Sequence, residues 1–272
     1  MKKISLILFL GVIATAVVFT STSCTPTNTP TPIHDTVYVH VTDTADCNCV
    51  CTDSCFGAIA CYPFDGNAND VSGNNFNGTV LGATLTTGHK GNANSAYYFN
   101  QSVNTKIELP NLSNFDNSGE ISISVWANTS STSTGGNTII STIPDASSDR
   151  FQMNINWTGD PVNTSIFDYG NISSGRLVTP SAPIVYNTWE HYVFVKSTVG
   201  NFMKIYKNGV QIATKSGGAS ISNRAKKVVL GGSPSNGDHG DQLFKGSLDD
   251  LKIFNKALTA TEVLNIYNYE NQ

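Results

Sequence analysis

Charge is scarce in this chain: of 272 residues only 13% are Asp, Glu, Lys or Arg, and the formal net charge is −4. The basic residues are scattered and form no run or stripe, which removes the electrostatic footprint that nucleic-acid binding needs. Glutamate is rarer still, with Glu108, Glu120, Glu190, Glu262 and Glu270 standing far apart. No G-x-S-x-G is present, so a serine nucleophile has no elbow to sit on. The histidines form no triad: His191 lies in an apolar stretch and reads as structural, and His34 and His40 have no further ligand at metal-binding spacing. Long apolar runs are limited to Ile4–Phe19, sixteen residues, shorter than the ~20 a membrane-spanning helix requires. These absences point away from catalysis and from membrane-spanning helices.

What is present begins with a targeting segment. Lys2 and Lys3 precede the apolar run, and Ser21, Thr22 and Ser23 lead into Cys24. This resembles a bacterial lipoprotein signal, which implies lipidation at Cys24, a signal peptide over residues 1–23 and a place in the cell envelope, at the outer membrane. Ser21 departs from the Leu usual three residues before the cysteine. Residues 24–58 then read as a tether. Thr25–Pro32 alternates Thr and Pro and cannot build a core. Val37, Val39 and Val41 fall on one face of a short β-prone stem. Cys47, Cys49, Cys51 and Cys55 crowd into nine residues, with Cys61 following. Such a run suits Zn²⁺ or disulfides, and an oxidising compartment favours disulfides.

From residue 59 to 272 short strands alternate with turns, the pattern of an all-β antiparallel sandwich. Ile121, Ile123 and Val125 alternate with Ser122 and Ser124, so the first three are expected to face the core. Asn208-Gly209 predicts a two-residue hairpin, because both residues accept positive φ. Thr259 and Glu262 form a capping box ahead of Val263, Ile266 and Tyr267, which predicts a short C-terminal helix.

Two stretches frame that domain. Tyr62–Gly78 reads YPFDGNANDVSGNNFNG and Phe244–Thr259 reads FKGSLDDLKIFNKALT. Between them lie W-E-H-Y-V from Trp189 and K-I-Y-K-N-G from Lys204. Together they resemble the laminin-G-like, concanavalin A-like domains of secreted bacterial proteins. The resemblance implies a jelly-roll sandwich over residues 59–272 whose first and last strands lie close together. It also implies a role in binding carbohydrate, or, alternatively, in protein–protein adhesion or envelope assembly. Related sandwiches house glycoside hydrolases, but none of the glutamates here has the E-x-D-x-E neighbourhood of those enzymes, and Glu190 reads as a solvated charge at a strand edge.

The opening loop is rich in oxygen donors, which suits Ca²⁺. Asp65, Asn67 and Asp70, joined by Asp249 or Asp250 of the closing strand, form the candidate metal set. Alternation sends Asp249 and Asp250 to opposite faces, with Asp249 on the apolar face of Leu251 and Ile253. The candidate ligand-binding groups are Trp157, Asp168 and Tyr169 in the middle strands, and Asn236, Asp238, His239 and Asp241 in a polar loop. Trp126 and Trp189 read as core. The partners expected are a glycan or an envelope protein, and a membrane through the lipid.

Overall fold

The computed structural model describes residues 54–101, 105–116, 119–130, 136–143, 147–157, 162–233 and 242–272. Cys24, Cys47, Cys49 and Cys51, like Asn236, Asp238, His239 and Asp241, lie outside the described residues. The compact unit runs from Cys55 to Gln272.

Its strands are β1 (Ala60–Tyr62), β2 (Thr79–Leu81), β3 (Thr84–Thr86), β4 (Ala96–Phe99), β5 (Lys106–Asn111) and β6 (Glu120–Thr129). They continue with β7 (Thr138–Ile143), β8 (Arg150–Trp157), β9 (Thr164–Gly170), β10 (Arg176–Val178), β11 (Trp189–Ser197) and β12 (Phe202–Lys207). The last are β13 (Val210–Ser216), β14 (Lys227–Leu230), β15 (Gly232–Ser233), β16 (Gln242–Leu243) and β17 (Gly246–Phe254). A helical turn, α1 (Ile172–Gly175), follows β9, and α2 (Ala260–Glu270) ends the chain.

The larger sheet has eight strands in the order β13-β12-β11-β6-β17-β4-β3, with β1 also paired to β17. The smaller has seven, in the order β10-β9-β8-β7-β14-β5-β2. Their ladders are antiparallel. The two sheets bury one core between them, because each strand presents alternate residues inward. In β6 these are Ile121, Ile123, Val125 and Ala127, which meet Phe151, Met153 and Ile155 of β8 and Phe167 of β9 in a single cluster. Asn208 and Gly209 turn the β12–β13 hairpin with φ of 48° and 77°. All of this follows the alternation and turn chemistry of the sequence.

The outer face of the larger sheet is also covered. Val193, Val195 and Tyr206 pack there against Val263 and Ile266 of α2, with Cys55, Ala58 and Cys61 in the same cluster. Cys55 and Cys61 are joined in a disulfide. Thr259 caps α2 by accepting from the Glu262 amide at 3.3 Å, and Glu262 returns the bond by accepting from the Thr259 amide at 2.7 Å. Ser122 fixes the helix approach, since its hydroxyl donates to the Lys256 carbonyl and accepts from the Leu258 amide.

One local feature overturns a simple alternation. Leu248 and Leu251 both reach the core although they are three apart. A β-bulge between Asp249 and Lys252 shifts the register against β6, with Asp250 at a φ of 45°. The extra residue puts Asp249 and Asp250 on the same side of the strand, under α2. The expected split of the two carboxylates across β17 is therefore corrected, and Asp249 does not share the face of Leu251 and Ile253.

Candidate functional site

A cavity of about 290 Å³ opens at one end of the sandwich, between the two sheets. Asn156, Asn163, Thr164 and Ser165 line it from the β8–β9 end of the smaller sheet, and Tyr192, Lys207 and Ile212 from β11, β12 and β13 of the larger. Thr179 to Pro183 close a third side. The local chain shape has identifiable causes. β8 is irregular between Asn154 and Trp157, and Asn156 and Asn163 hold φ of 48° and 57°, which Asn tolerates better than most residues. The Ser165 amide donates to Thr179 Oγ1 at 2.8 Å, and the Ala182 amide to the Asn163 carbonyl at 3.0 Å, which hold the third side in place.

The lining is mixed in chemistry. Six of the described lining residues offer amides or hydroxyls, but most of the surface is apolar, with Pro180, Ala182, Pro183 and Ile212 contributing; Tyr192 adds an aromatic side chain, and none of the described lining residues carries a carboxylate. The one cation among the described lining residues, Lys207, pairs with Glu190 at 2.7 Å and lies 5.6 Å from the centre of the Tyr192 ring. Tyr192 donates its hydroxyl to Glu190 at 2.9 Å, and burial followed by the Glu190 charge holds its pKa well above the ordinary tyrosine value. Glu190 is thus buried and paired, not a solvated strand-edge charge. Hydrolysis of a sugar bond would need two carboxylates ~5–9.5 Å apart facing the ligand, and the described lining residues offer none.

The expected ligand-binding residues separate. Trp157 stands beside the cavity: it pairs with Thr164 and accepts the Asn163 amide at its carbonyl, and its indole Nε1 has no hydrogen-bond partner among the described residues. Asp168 lies on the outer face of the smaller sheet, accepting two bonds of 2.7 Å from Arg176, with Arg150 at 3.7 Å. Tyr169, next in the strand, points the other way into the core and donates to Asp116. It is not part of any surface, which alternation along β9 requires.

The opening loop uses its oxygens on the backbone. Asp70 Oδ1 accepts the amides of Cys61 and Ser72, both at 2.9 Å, and Oδ2 accepts the Ser72 hydroxyl and the Phe76 amide at 2.9 and 3.0 Å. A carboxylate has about four acceptor positions, so Asp70 has none left for a cation. Asn67 caps its own turn by accepting the Asn69 amide at 2.8 Å, and Asp65 is exposed. These groups do not fit a Ca²⁺ shell, and the loop is organised by hydrogen bonds.

Under α2 lies a polar cluster that motif reading did not find. His89, in the turn before β4, accepts the attention of three elements. Its Nδ1 is 2.8 Å from Asp249 Oδ2 and 3.8 Å from Asp250 Oδ2, and its Nε2 is 3.1 Å from the Glu270 carbonyl. The ring stacks on Trp126 at 4.4 Å. Glu270 accepts from Trp126 Nε1 at 2.7 Å and pairs with the buried Lys252, which is 3.4 Å from Asp250. Burial works against the charged form of His89, but the hydrogen bond and charge of Asp249, with help from Asp250, outweigh it and raise its pKa. His191, fully buried beside them, is pushed down to about 3 by burial and then by the Lys252 charge. His89 and Glu270 are isolated in sequence, and only the D-D pair at 249–250, with Lys252 in the same strand, marked the place.

A family model described as "Concanavalin A-like lectin/glucanases superfamily" matches residues 100–264, more than half of the chain. The chain belongs to this family. Among solved structures, domain 4 of AbnA, a GH43 extracellular arabinanase from Geobacillus stearothermophilus, in complex with arabinotriose, is 22% identical with a TM-score of 0.59. That match covers 77% of this chain and 98% of the arabinanase domain. The botulinum neurotoxin serotype D/C VPI 5993 binding domain is 20% identical at a TM-score of 0.59, covering 79% of this chain and 53% of the toxin domain. The binding domain of botulinum neurotoxin DC in complex with SialylT is 18% identical at 0.57, covering 78% and 51%. The chain thus spans about half the length of the toxin domains. At such identities these likenesses establish the fold. No curated protein matches the chain.

Proposed function

We propose that this laminin-G-like sandwich is a non-catalytic carbohydrate-binding module, carried by a bacterial envelope protein that is anchored through a lipid on Cys24. The observation that carries the reading is the end cavity, whose described lining combines amides and hydroxyls with an apolar wall, one tyrosine ring and one neutralised lysine, and holds no carboxylate. Its volume of about 290 Å³ is near the lower bound of ~300–1,000 Å³ typical of small-molecule sites. Family membership supports the same reading, as do the arabinotriose on the arabinanase domain and the SialylT on the toxin domain.

A glycan array tests it. The protein is expected to retain a small set of glycans, released by competing free sugar. Ser181 is exposed on the cavity wall, so Ser181→Trp fills the space without touching the core, and the hits should vanish at unchanged melting temperature. An array without hits, or hits that Ser181→Trp leaves intact, refutes the module or its site. The anchor has its own test: Cys24→Ala should move the protein from the membrane to the soluble fraction, since stable attachment takes at least two lipid signals.

A further inference from the structure

The cluster of His89, Asp249 and Asp250 has the donor set of a metal centre, and its hydrogen bonding says which atoms face the ion. A carbonyl oxygen only accepts, so the 3.1 Å contact between His89 Nε2 and the Glu270 carbonyl places a hydrogen on Nε2. In the neutral ring Nδ1 then carries a lone pair, aimed at Asp249 Oδ2 only 2.8 Å away. A lone pair does not face a carboxylate at that distance without a positive charge between them. That charge is a proton or a metal ion.

Three observations favour room for the ion. The bulge at Asp250 turns a second carboxylate onto the same spot, so that Nδ1 and one oxygen from each aspartate lie within 4.8 Å of one another. The local charge is out of balance, since Asp249, Asp250 and Glu270 are set against Lys252 alone. The backbone also yields space: a Cβ on Gly88 would stand 2.6 Å from Asp249 Oδ2, so this position admits only glycine beside that carboxylate. An imidazole whose remote N–H is fixed on a backbone carbonyl is the usual outer arrangement of a metal-bound histidine.

We propose that His89 Nδ1, Asp249 and Asp250 bind a divalent transition metal of the zinc class. Imidazole with carboxylates suits Zn²⁺, Ni²⁺ or Cu²⁺ better than Ca²⁺. Asp250 has the most exposed side chain of the three, at 21% against 5% for His89 and for Asp249, and gives the ion its open side to water. The ion clips the turn before β4 to the closing strand, and through the Glu270 carbonyl to the end of α2.

Titration calorimetry of the EDTA-treated protein with ZnCl₂, in two buffers of different ionisation enthalpy, tests this. The wild type should bind one more zinc equivalent than His89→Gln or Asp250→Asn, with about one proton released for that equivalent and tighter binding as pH rises. Asp250→Asn keeps a partly exposed, isosteric side chain, so it reports even if His89→Gln fails to fold. Zinc held by cysteines survives in both variants and does not enter the difference. Equal zinc counts in wild type and Asp250→Asn, or a lost equivalent that released no proton, would overturn the proposal and leave an imidazolium–carboxylate pair.

Discussion

Acid should destabilise this domain through His191, and the effect can be isolated. The ring is fully buried between β6 and α2, with Nε2 2.7 Å from Ser124 Oγ and Nδ1 without a partner among the described residues. Lys252 lies close enough to oppose a second positive charge, and the pKa falls from 6.5 to about 3. The folded state therefore keeps His191 neutral while the unfolded chain takes up a proton below pH ~6.5. Stability falls as pH drops through that window, at ~1.4 kcal/mol per unit, which amounts to about 2 kcal/mol between pH 7.5 and 5. His89 works in the opposite sense: its pKa is raised, so its contribution is present below ~6.5 and is lost as pH rises through the folded value. Burial raises Asp249 and Glu270, whose protonation on acidification works in the opposite direction. They are common to wild type and variant and cancel in a difference. The assay is urea denaturation followed by tryptophan fluorescence, with Trp126 only 5.3 Å from the His191 ring as the reporter. His191→Gln keeps a polar partner for Ser124 and removes the titration. The gap in unfolding free energy between wild type and His191→Gln should shrink by about 2 kcal/mol from pH 7.5 to pH 5. Parallel curves would refute the reasoning, because His191 would then titrate alike folded and unfolded.

Other perturbations follow from single contacts. Ile123→Asp puts a carboxylate into the core between the sheets and should abolish folding, as seen by loss of soluble protein, since its cost approaches the ~5–15 kcal/mol margin of a domain. Glu270→Ala leaves the buried Lys252 ammonium with Asp250 alone, 3.4 Å away, and should cost about 3 kcal/mol in denaturant titrations. Asp70→Ala removes four hydrogen bonds from the opening loop and should lower the melting temperature equally with and without added Ca²⁺, while adding Ca²⁺ to the EDTA-treated wild type leaves its melting temperature unchanged.

Much of the sandwich was legible because its signals are local. The alternation in β6, the Asn208-Gly209 turn and the capping box at Thr259 each involve neighbours that decide one another's conformation. The same alternation already separates Asp168 from Tyr169, and the structure puts one on a sheet face and the other in the core. What was not legible depends on distance along the chain. The cavity gathers residues from 156 to 212 on several strands; Tyr192 and Lys207 belong to the W-E-H-Y-V and K-I-Y-K-N-G stretches, but nothing in those patterns shows that they meet Asn156, Thr164 and Ser165. His89 meets Asp249 across 160 residues, in a turn whose composition resembles any other.

The closing D-D pair shows where pattern reading breaks. Strict alternation allows one aspartate at a site, and a calcium ion shared with Asp65 and Asp70 was the natural way to join the first strand to the last. The join exists, but the ladder makes it: β1 pairs with β17 through Tyr62 and Leu251, and Asp70 caps the Cys61 amide inside that strand. Asp70 is thereby committed to backbone donors and withdrawn from any ion. The bulge then does what no alternating strand can do, placing both carboxylates under α2 before His89. A strained residue in the closing strand is easily missed in a sequence, because Asp at positive φ leaves no composition signal, whereas its consequence is two acids on one face. The opening motif is thus a device for turning the backbone. The closing motif is the one that gathers charge, and any ion in this domain should be sought beside it.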